Sequence, residues 1–319
     1  MKSYLGIDIG GTNVKIAVVG HSGRIRARGV IDTNPSEGPR KTFRRIETAA
    51  NAMTFGIGVT GVGVGCAGLI DPVRGRLYSS PNLPGWENTP LKRIAERAFG
   101  VYTLVDNDAN SAAYGEFRLG ASRGARHMVF VTLGTGVGGG IIVDGELLRG
   151  QANFAAELGH TTIDPNGPRC RCGNRGCLEA YVGSYGLVRS ARDMLRRKNS
   201  RVLRRWVEEK KRLTPQLIFD AARRGDAAAT AVTKMAGKQL GVSIASLVNI
   251  FNPKVVVLGG GVAGSFDILQ PHIERTVRRR AFPESARMVQ IVHSVLGNDA
   301  TAVGAAMLAR DALEKRKRA

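Results

Sequence analysis

Short apolar runs separated by glycine and polar clusters alternate along this chain with longer runs of helical period. Tyr4 to Val19 holds two apolar arms around Gly10-Gly11-Thr12, which predicts two strands joined by a hairpin turn. The layout recurs from His127 to Val143, with one arm ending at Leu133, then Gly134-Thr135-Gly136-Val137-Gly138-Gly139-Gly140, then a strand to Val143. Ile25 to Thr33, Val62 to Cys66, Val101 to Asp106, Lys254 to Leu258 and Val289 to Ser294 read as further strands. Apolar residues at helical spacing mark Pro39 to about Phe55 (Phe43, Ile46, Ala50, Met53) and Asp226 to about Phe251 (Val232, Met235, Leu240, Ile244, Leu247). Leu91 to Phe99, the segment ending near Leu119, Thr214 to Arg223, the stretch from Phe266 and Ala300 to Lys315 also read as helices. Tyr181 to Arg212 reads as mostly helical with a break near Asn199-Ser200. Strands alternating with helices predict an α/β chain. Two like hairpins predict two half-domains of like construction.

The hairpins suggest chemistry as well as shape. Adjacent glycines bare backbone N–H groups that can form an anion-binding nest. Asp8, ending the first strand, would face the same mouth and could hold hydrated Mg²⁺. No Gly-Lys-Ser/Thr follows and no helix starts here, so this is not a Walker A loop. Taken alone, either hairpin could owe its glycines to the turn. The duplication is the more specific signal, with both loops offering N–H groups to one polyphosphate. Gly259-Gly260-Gly261, after the strand from Lys254, is a third close backbone approach, suited to the adenosine end of ATP or simply to a tight turn. Asp108 stands where a strand meets a helix. It could cap that helix, or take a proton from an alcohol attacking phosphorus.

The densest chemistry runs from Glu157 to Glu179. It reads Glu157-Leu158-Gly159-His160, then Cys170-Arg171-Cys172-Gly173-Asn174-Arg175-Gly176-Cys177-Leu178-Glu179. Three of the 4 cysteines in the chain fall here. Three thiols and an imidazole suit a tetrahedral Zn²⁺ site, and Gly173 and Gly176 allow the tight turns needed to point Cys172 and Cys177 at one ion. A disulfide would leave one of the three cysteines over. Glu157 and Glu179 bracket the element, so a metal-tied loop would carry fixed acidic groups toward a polar ligand.

A hydrophobic content of 43% suffices for a real core. The uncharged stretch from Thr48 to Ile70 is long enough to span a bilayer, but it holds six glycines and alternates glycine with valine, which suits a helix end followed by a buried strand. No secretory signal is visible, and metal-spaced cysteines point to the cytoplasm. The net charge of +21 would permit polyanion binding. Arginine outnumbers lysine 35 to 12, which codon bias would also explain, and no aromatic interleaving or nucleic-acid motif accompanies the charge. Specific nucleic-acid and membrane partners are therefore not expected.

Together these pieces resemble the ROK family (repressors, open reading frames and kinases) from Tyr4 to about Leu308. Asp8-x-Gly10-Gly11-Thr12-Asn13-x-Lys15 is similar to its first phosphate motif, and the His160, Cys170, Cys172, Cys177 run to its zinc signature. Asn107-Asp108-Ala109 is similar to the segment holding its catalytic base, and Pro81-Asn82-Leu83-Pro84-Gly85-Trp86 to its sugar-side loop. Cys66-Ala67 departs from the family, where a proline commonly precedes the glycine equivalent to Gly68. The resemblance implies an actin-like ATPase/hexokinase fold, two α/β lobes with a cleft between them. It places a small lobe at 1–118, a larger lobe at 119–299 and a final helix, about 300–319, packing back on the small lobe. It implies an ATP- and Mg²⁺-dependent hexose kinase, foremost a glucokinase acting on the C6 hydroxyl, with Asp108 as general base. Gly68, Asn82, Asn107, Asp108, Glu157, His160 and Glu179 become the sugar contacts, and a structural zinc and a homodimer are implied. Kinases for N-acetylmannosamine, N-acetylglucosamine, mannose or fructose and a polyphosphate-using glucokinase are the alternatives. A sugar-responsive repressor is a further one, disfavoured because Asp8 stands too near the start for a preceding DNA-binding domain.

Overall fold

The computed structural model describes residues 2–54, 58–197, 200–209 and 212–318. The chain opens with β1 (Ser3–Ile9), β2 (Asn13–Gly20) and β3 (Ile25–Asp32), then α1 (Pro39–Met53), β4 (Val59–Cys66), a small hairpin of β5 (Leu69–Asp71) and β6 (Arg76–Ser79), α2 (Leu91–Phe99), β7 (Thr103–Asn107) and α3 (Asp108–Leu119). There follow β8 (Met128–Leu133), β9 (Val137–Val143), β10 (Glu146–Leu147), α4 (Leu178–Val182), α5 (Ser184–Arg197), α6 (Val202–Glu208), α7 (Pro215–Arg223) and α8 (Ala227–Phe251). The chain closes with β11 (Val255–Gly259), α9 (Phe266–Arg280), α10 (Pro283–Met288), β12 (Gln290–His293) and α11 (Ala300–Arg318).

Two five-stranded sheets result, in the orders β3-β2-β1-β4-β7 and β10-β9-β8-β11-β12. Strand for strand they share one wiring, three consecutive strands in reverse order followed by two crossover strands. β1, β4 and β7 are mutually parallel, as are β8, β11 and β12. The duplication read from the two Gly/Thr hairpins thus extends to the whole of each sheet. Two compact units are distinguished, one of Met1–Arg126, Gly140–Ala156 and Ser294–Ala319, the other of His127–Gly139 and Glu157–His293.

In the first unit the sheet has two unlike faces. Leu5, Ile7, Ile9, Val62 and Val64 point one way and pack with Phe43 and Ile46 of α1 and Leu91 and Ala95 of α2. The opposite face is stripped to glycine so that α11 can lie against it. A Cβ on Gly6 would stand 1.8 Å from the Ala302 carbonyl oxygen, and one on Gly63 1.8 Å from that of Ala305. The glycine–valine alternation of β4 is this division of faces, since a strand sends successive side chains to opposite sides. α11 meets α3 as closely, because a Cβ on Gly304 would lie 1.7 Å from the Ser111 carbonyl oxygen.

The helix ends are closed by local contacts. Thr214 Oγ1 accepts from the Leu217 N–H at 3.3 Å and caps α7. Asp226 caps α8 by accepting from Ala228 and Ala229 N–H, each at 3.1 Å. Gly100 ends α2 with φ +65°. The β5–β6 hairpin and α10 were not expected. Within Tyr181 to Arg212, Gly183 divides α4 from α5. Phe55, Asn199, Lys210 and Lys211, on which parts of the expected helices fall, lie outside the described residues.

Gly304→Ala is expected to cost about 1–3 kcal/mol by overpacking, read as a lower urea midpoint at unchanged slope. Gly264→Ala, where an added Cβ meets nothing within 4 Å, should stay within about 0.5 kcal/mol.

Candidate active site and metal centre

Where β1, β4 and β7 end level in the first unit, Ile9 lies opposite Cys66 and Cys66 opposite Asn107. Open α/β sheets take ligands beyond the carboxyl ends of parallel strands. This edge carries Asp8, Gly68, Asn107 and Asp108. Asn107, not Asp108, caps α3, its Oδ1 accepting from the N–H groups of Ala109 (2.8 Å) and Asn110 (3.1 Å). Its Nδ2 donates to the Gly68 carbonyl at 3.1 Å. One amide therefore fixes both the helix start and the Gly68 turn, where φ is +129° and a Cβ would lie 2.5 Å from the Ser79 carbonyl oxygen. The capping explanation for an aspartate at 108 passes to its neighbour.

The two carboxylates of this edge feel each other. Burial, and then the charge of Asp108, push the Asp8 carboxyl up to about 7, with Lys15 opposing the rise. Lys15 Nζ stands 3.6 Å from Asp8 Oδ2 and donates to the Asn298 carbonyl at 3.3 Å. Burial also raises Asp108, against hydrogen bonds that pull it down, foremost the Ala109 N–H at 2.9 Å. Below them Asp106 accepts from Arg149 Nη2 (2.6 Å), the Asn107 N–H (2.8 Å) and Asn110 Nδ2 (3.1 Å). Sequence reasoning missed this pairing of buried Asp106 with partly buried Arg149. Its only signal was an aspartate inside a strand, which has to find a partner.

The Gly10-Gly11-Thr12 turn packs on the Asn82 loop, since a Cβ on Gly11 would sit 2.9 Å from the Asn82 carbonyl oxygen. Thr33 braces the turn, donating from Oγ1 to the Gly10 carbonyl at 2.7 Å and from N–H to that of Thr12 at 2.8 Å. Asn82 is exposed at a loop tip pinned by buried Leu83 and Trp86, whose Nε1 donates to the Pro35 carbonyl at 3.0 Å. The first unit thus brings together Asp8, the Gly10–Lys15 hairpin, Gly68, Asn82, Asn107 and Asp108.

In the second unit, His160, Cys170, Cys172 and Cys177 present ligand atoms all within 4.8 Å of one another. His160 Nδ1 lies 3.8 Å from Cys170 Sγ, and Cys172 Sγ lies 3.7 Å from Cys177 Sγ. Tetrahedral thiolates about 2.3 Å from a common ion stand roughly 3.8 Å apart, so the cluster fits a metal. All four cysteines of the chain are free thiols. Gly176, with φ +69°, makes the tight turn before Cys177, where a Cβ would collide with the Asp164 carbonyl oxygen at 1.6 Å.

This loop is tied to the second hairpin. Glu179, only 9% exposed, accepts from the Val137 N–H through Oε2 at 3.0 Å, while Tyr185 OH donates to its Oε1 at 3.4 Å. A Cβ on Gly159 would stand 2.0 Å from the Val137 carbonyl oxygen, and one on Gly136 2.4 Å from Glu179 Oε2. Ser184 holds the Gly134 carbonyl from both its N–H (3.0 Å) and its Oγ (2.7 Å). Gly260, with φ +85°, lies against the Leu133 carbonyl oxygen, so the Gly259–Gly261 turn meets the same hairpin. Thr135 is exposed at its tip, and Glu157 is exposed ahead of His160. Gly138, Gly139 and Gly140 do not extend the turn. They lie inside β9, Gly139 and Gly140 buried, and Gly140 exists for packing, with a would-be Cβ 2.5 Å from Ala113 Cβ.

With this geometry, comparison with known proteins is decisive. The ROK family model matches residues 4–312. The chain belongs to the ROK family. This ROK chain is 34% identical over 307 residues to a glucokinase of Thermotoga maritima, covering 96% of the chain and 97% of that relative. The crystal structure of a ROK family glucokinase from Streptomyces griseus in complex with glucose and AMPPNP is 35% identical, with a TM-score of 0.84 over 97% of the ROK chain and 99% of that one. A xylose repressor of Caldicellulosiruptor bescii is 29% identical over 98% of the chain and 79% of its own length. The fold is the actin-like ATPase/hexokinase fold of ROK sugar kinases, as the sequence motifs implied. Among the described residues no helix is long and apolar enough to cross a membrane.

A raised carboxyl stabilises the fold in full only below its unfolded-state value, near 3.9, and that contribution is lost as pH rises through about 7. Asp8→Asn should therefore gain stability over the parent between pH 4 and 7, by about 1.4 kcal/mol for each unit of the raised value that it relieves, and the gain should level off above. Urea midpoints at pH 5 and pH 8 check this, and a pH-independent difference would contradict it.

Proposed function

We propose that the protein is an ATP-dependent hexose kinase, foremost a glucokinase that phosphorylates the C6 hydroxyl of glucose, with Asp108 as general base. The observation that carries this reading is a carboxylate at Asp108, one residue past the N-cap Asn107 and raised by burial, at the edge where the parallel strands β1, β4 and β7 end. The glucokinase relatives and the glucose- and AMPPNP-bound neighbour support it.

In the reaction the C6 oxygen attacks the γ-phosphorus, its proton passes to Asp108, and ADP leaves with the electrons of the broken P–O bond. Asp108 must be ionised to act. Its elevated proton affinity makes it a stronger base than an ordinary surface carboxylate. Gly10, Gly11, Thr12, Asn13 and Lys15, with Gly134, Thr135 and Gly136, are assigned to the phosphates, and Gly259, Gly260 and Gly261 to the adenosine end. Gly138, Gly139 and Gly140 support that hairpin from within the strand. Asp8 would hold Mg²⁺, which supplies neutralising charge to the phosphates, and a carboxylate raised by a like neighbour fits a cation. Gly68, Asn82, Asn107, Glu157, His160 and Glu179 are assigned to sugar hydroxyls, where charged acceptors bind strongly.

The Cys₃His cluster is assigned to Zn²⁺. Four protein ligands leave no open position, so its part is structural. With Nδ1 turned to the sulfurs, His160 keeps Nε2 for a hydrogen bond outside the cluster. A cytoplasmic homodimer completes the reading. The competing substrates, N-acetylmannosamine, N-acetylglucosamine, mannose and fructose, and polyphosphate as donor, are separated by ADP release or sugar-phosphate formation across a panel. Sugar-dependent DNA binding without turnover would instead favour the repressor branch.

Asp108→Asn is expected to keep glucose binding within a few-fold, by calorimetry, and to lower kcat by about 10²- to 10⁴-fold. Near-parent turnover would remove Asp108 from this role. Elemental analysis should find one zinc per chain, and Cys172→Ser should lower that content and the melting temperature together. Full activity in a protein stripped of zinc would overturn the structural role.

A further inference from the structure

Apart from every residue assigned above, α8 and α9 enclose a groove of ≈ 590 Å³. The helices lie close because glycines face the contact. A Cβ on Gly237 would stand 2.7 Å from His272 Cβ, and one on Gly241 2.5 Å from Thr276 Cβ. Cations flank the floor in two rows, Lys234 and Lys238 from α8, Arg275 and Arg279 from α9, with Arg280 at the end. Spacing of i, i+4 sets successive charges of one row about 6 Å apart along the axis.

These charges are not balanced locally. α8 carries no acidic residue from Ala227 to Phe251. Glu274 on α9 is engaged elsewhere, accepting from Gln270 Nε2 at 2.8 Å and Arg278 Nη2 at 3.4 Å, and it lines a neighbouring cavity. Among the described residues none of the five cations has an ion-pair partner. His272 reports the resulting field, since burial and then Arg275 and Lys234 hold its imidazole below the usual histidine value. Like charges at this spacing repel modestly, and all five are exposed, so an anion entering the groove would meet uncompensated positive charge. No Phe, Tyr or Trp lines the groove, and the one imidazole, His272, lies between the cations, so the lining is built for phosphate charge more than for stacking bases.

We propose that the α8–α9 groove binds an oligophosphate, a run of phosphoryl groups from inorganic polyphosphate or from the tail of a nucleotide. This is independent of the kinase reading, because none of its residues belongs to the proposed active site.

The test is calorimetric titration of the full chain with sodium tripolyphosphate while AMPPNP saturates the nucleotide site. Binding under these conditions supports the site and identifies an inorganic chain as its ligand. Two AMPPNP per chain, with no further tripolyphosphate binding, supports it with a nucleotide tail as source. In either case Lys234→Gln/Arg275→Gln/Arg279→Gln should weaken that binding at least tenfold, and Lys234→Gln alone should weaken it measurably. Arg196→Gln/Arg197→Gln, which removes exposed charge from α5, should leave it unchanged. One AMPPNP per chain with no tripolyphosphate bound, or equal loss in the α5 variant, overturns the proposal.

Discussion

The backbone of Val137 is gripped from two directions, and the second unit is organised by that grip. Its N–H is spent on the buried carboxylate of Glu179, and its carbonyl oxygen abuts Gly159, next to His160. Both gripping residues belong to the segment that carries the Cys₃His cluster. A buried carboxylate is costly unless its oxygens are satisfied, and here Val137 and Tyr185 satisfy them. Tyr185 OH also reaches Cys170 Sγ at 3.5 Å. The thiol cluster, Glu179 and the glycine turn therefore form one network, and the Cys₃His cluster sets the geometry of a hairpin ten or more residues away along the chain from any ligand.

The first unit is organised differently. Its means is close approach, with α11 laid against glycines of β1 and β4 and against α3. Pressing a helix onto bare backbone fixes the strand ends, because neither partner has a side chain whose rotamer could absorb a shift. The fixed ends carry Asp8, Gly68 and Asn107. Buried Asp106, clamped by Arg149, then locks the Asn107 peptide from beneath.

Much of this was legible because it is written over short spans. The spacing of Cys170, Cys172 and Cys177, the repeated Gly/Thr hairpin, and the caps at Thr214 and Asp226 are each settled within a few residues. The rest depends on contacts between distant segments. Asp106 and Arg149 are 43 positions apart, and nothing local marks either as a partner. Asn107 and Asp108 are adjacent and of types that cap equally well, and their order along the sequence does not show that Asn107 takes the extended cap position. Gly138 to Gly140 looked like more turn because glycine serves both turns and close packing, and the helix that packs there lies elsewhere in the sequence. The charge of +21 was legible as a total, but its concentration between α8 and α9 required the fold.

The two aspartates at the sheet edge constrain each other's chemistry. Two carboxylates in one partly dry site cannot both ionise without cost. Burial and the charge of Asp108 push Asp8 up to about 7, and burial raises Asp108 as well. Lys15, held between Asp8 and the Asn298 carbonyl, compensates only in part. A cation arriving beside Asp8 would displace its proton and remove the repulsion at the same stroke, lowering the proton affinity of both groups. Under the proposed mechanism, the base strength of Asp108 would therefore depend on what occupies the place beside Asp8.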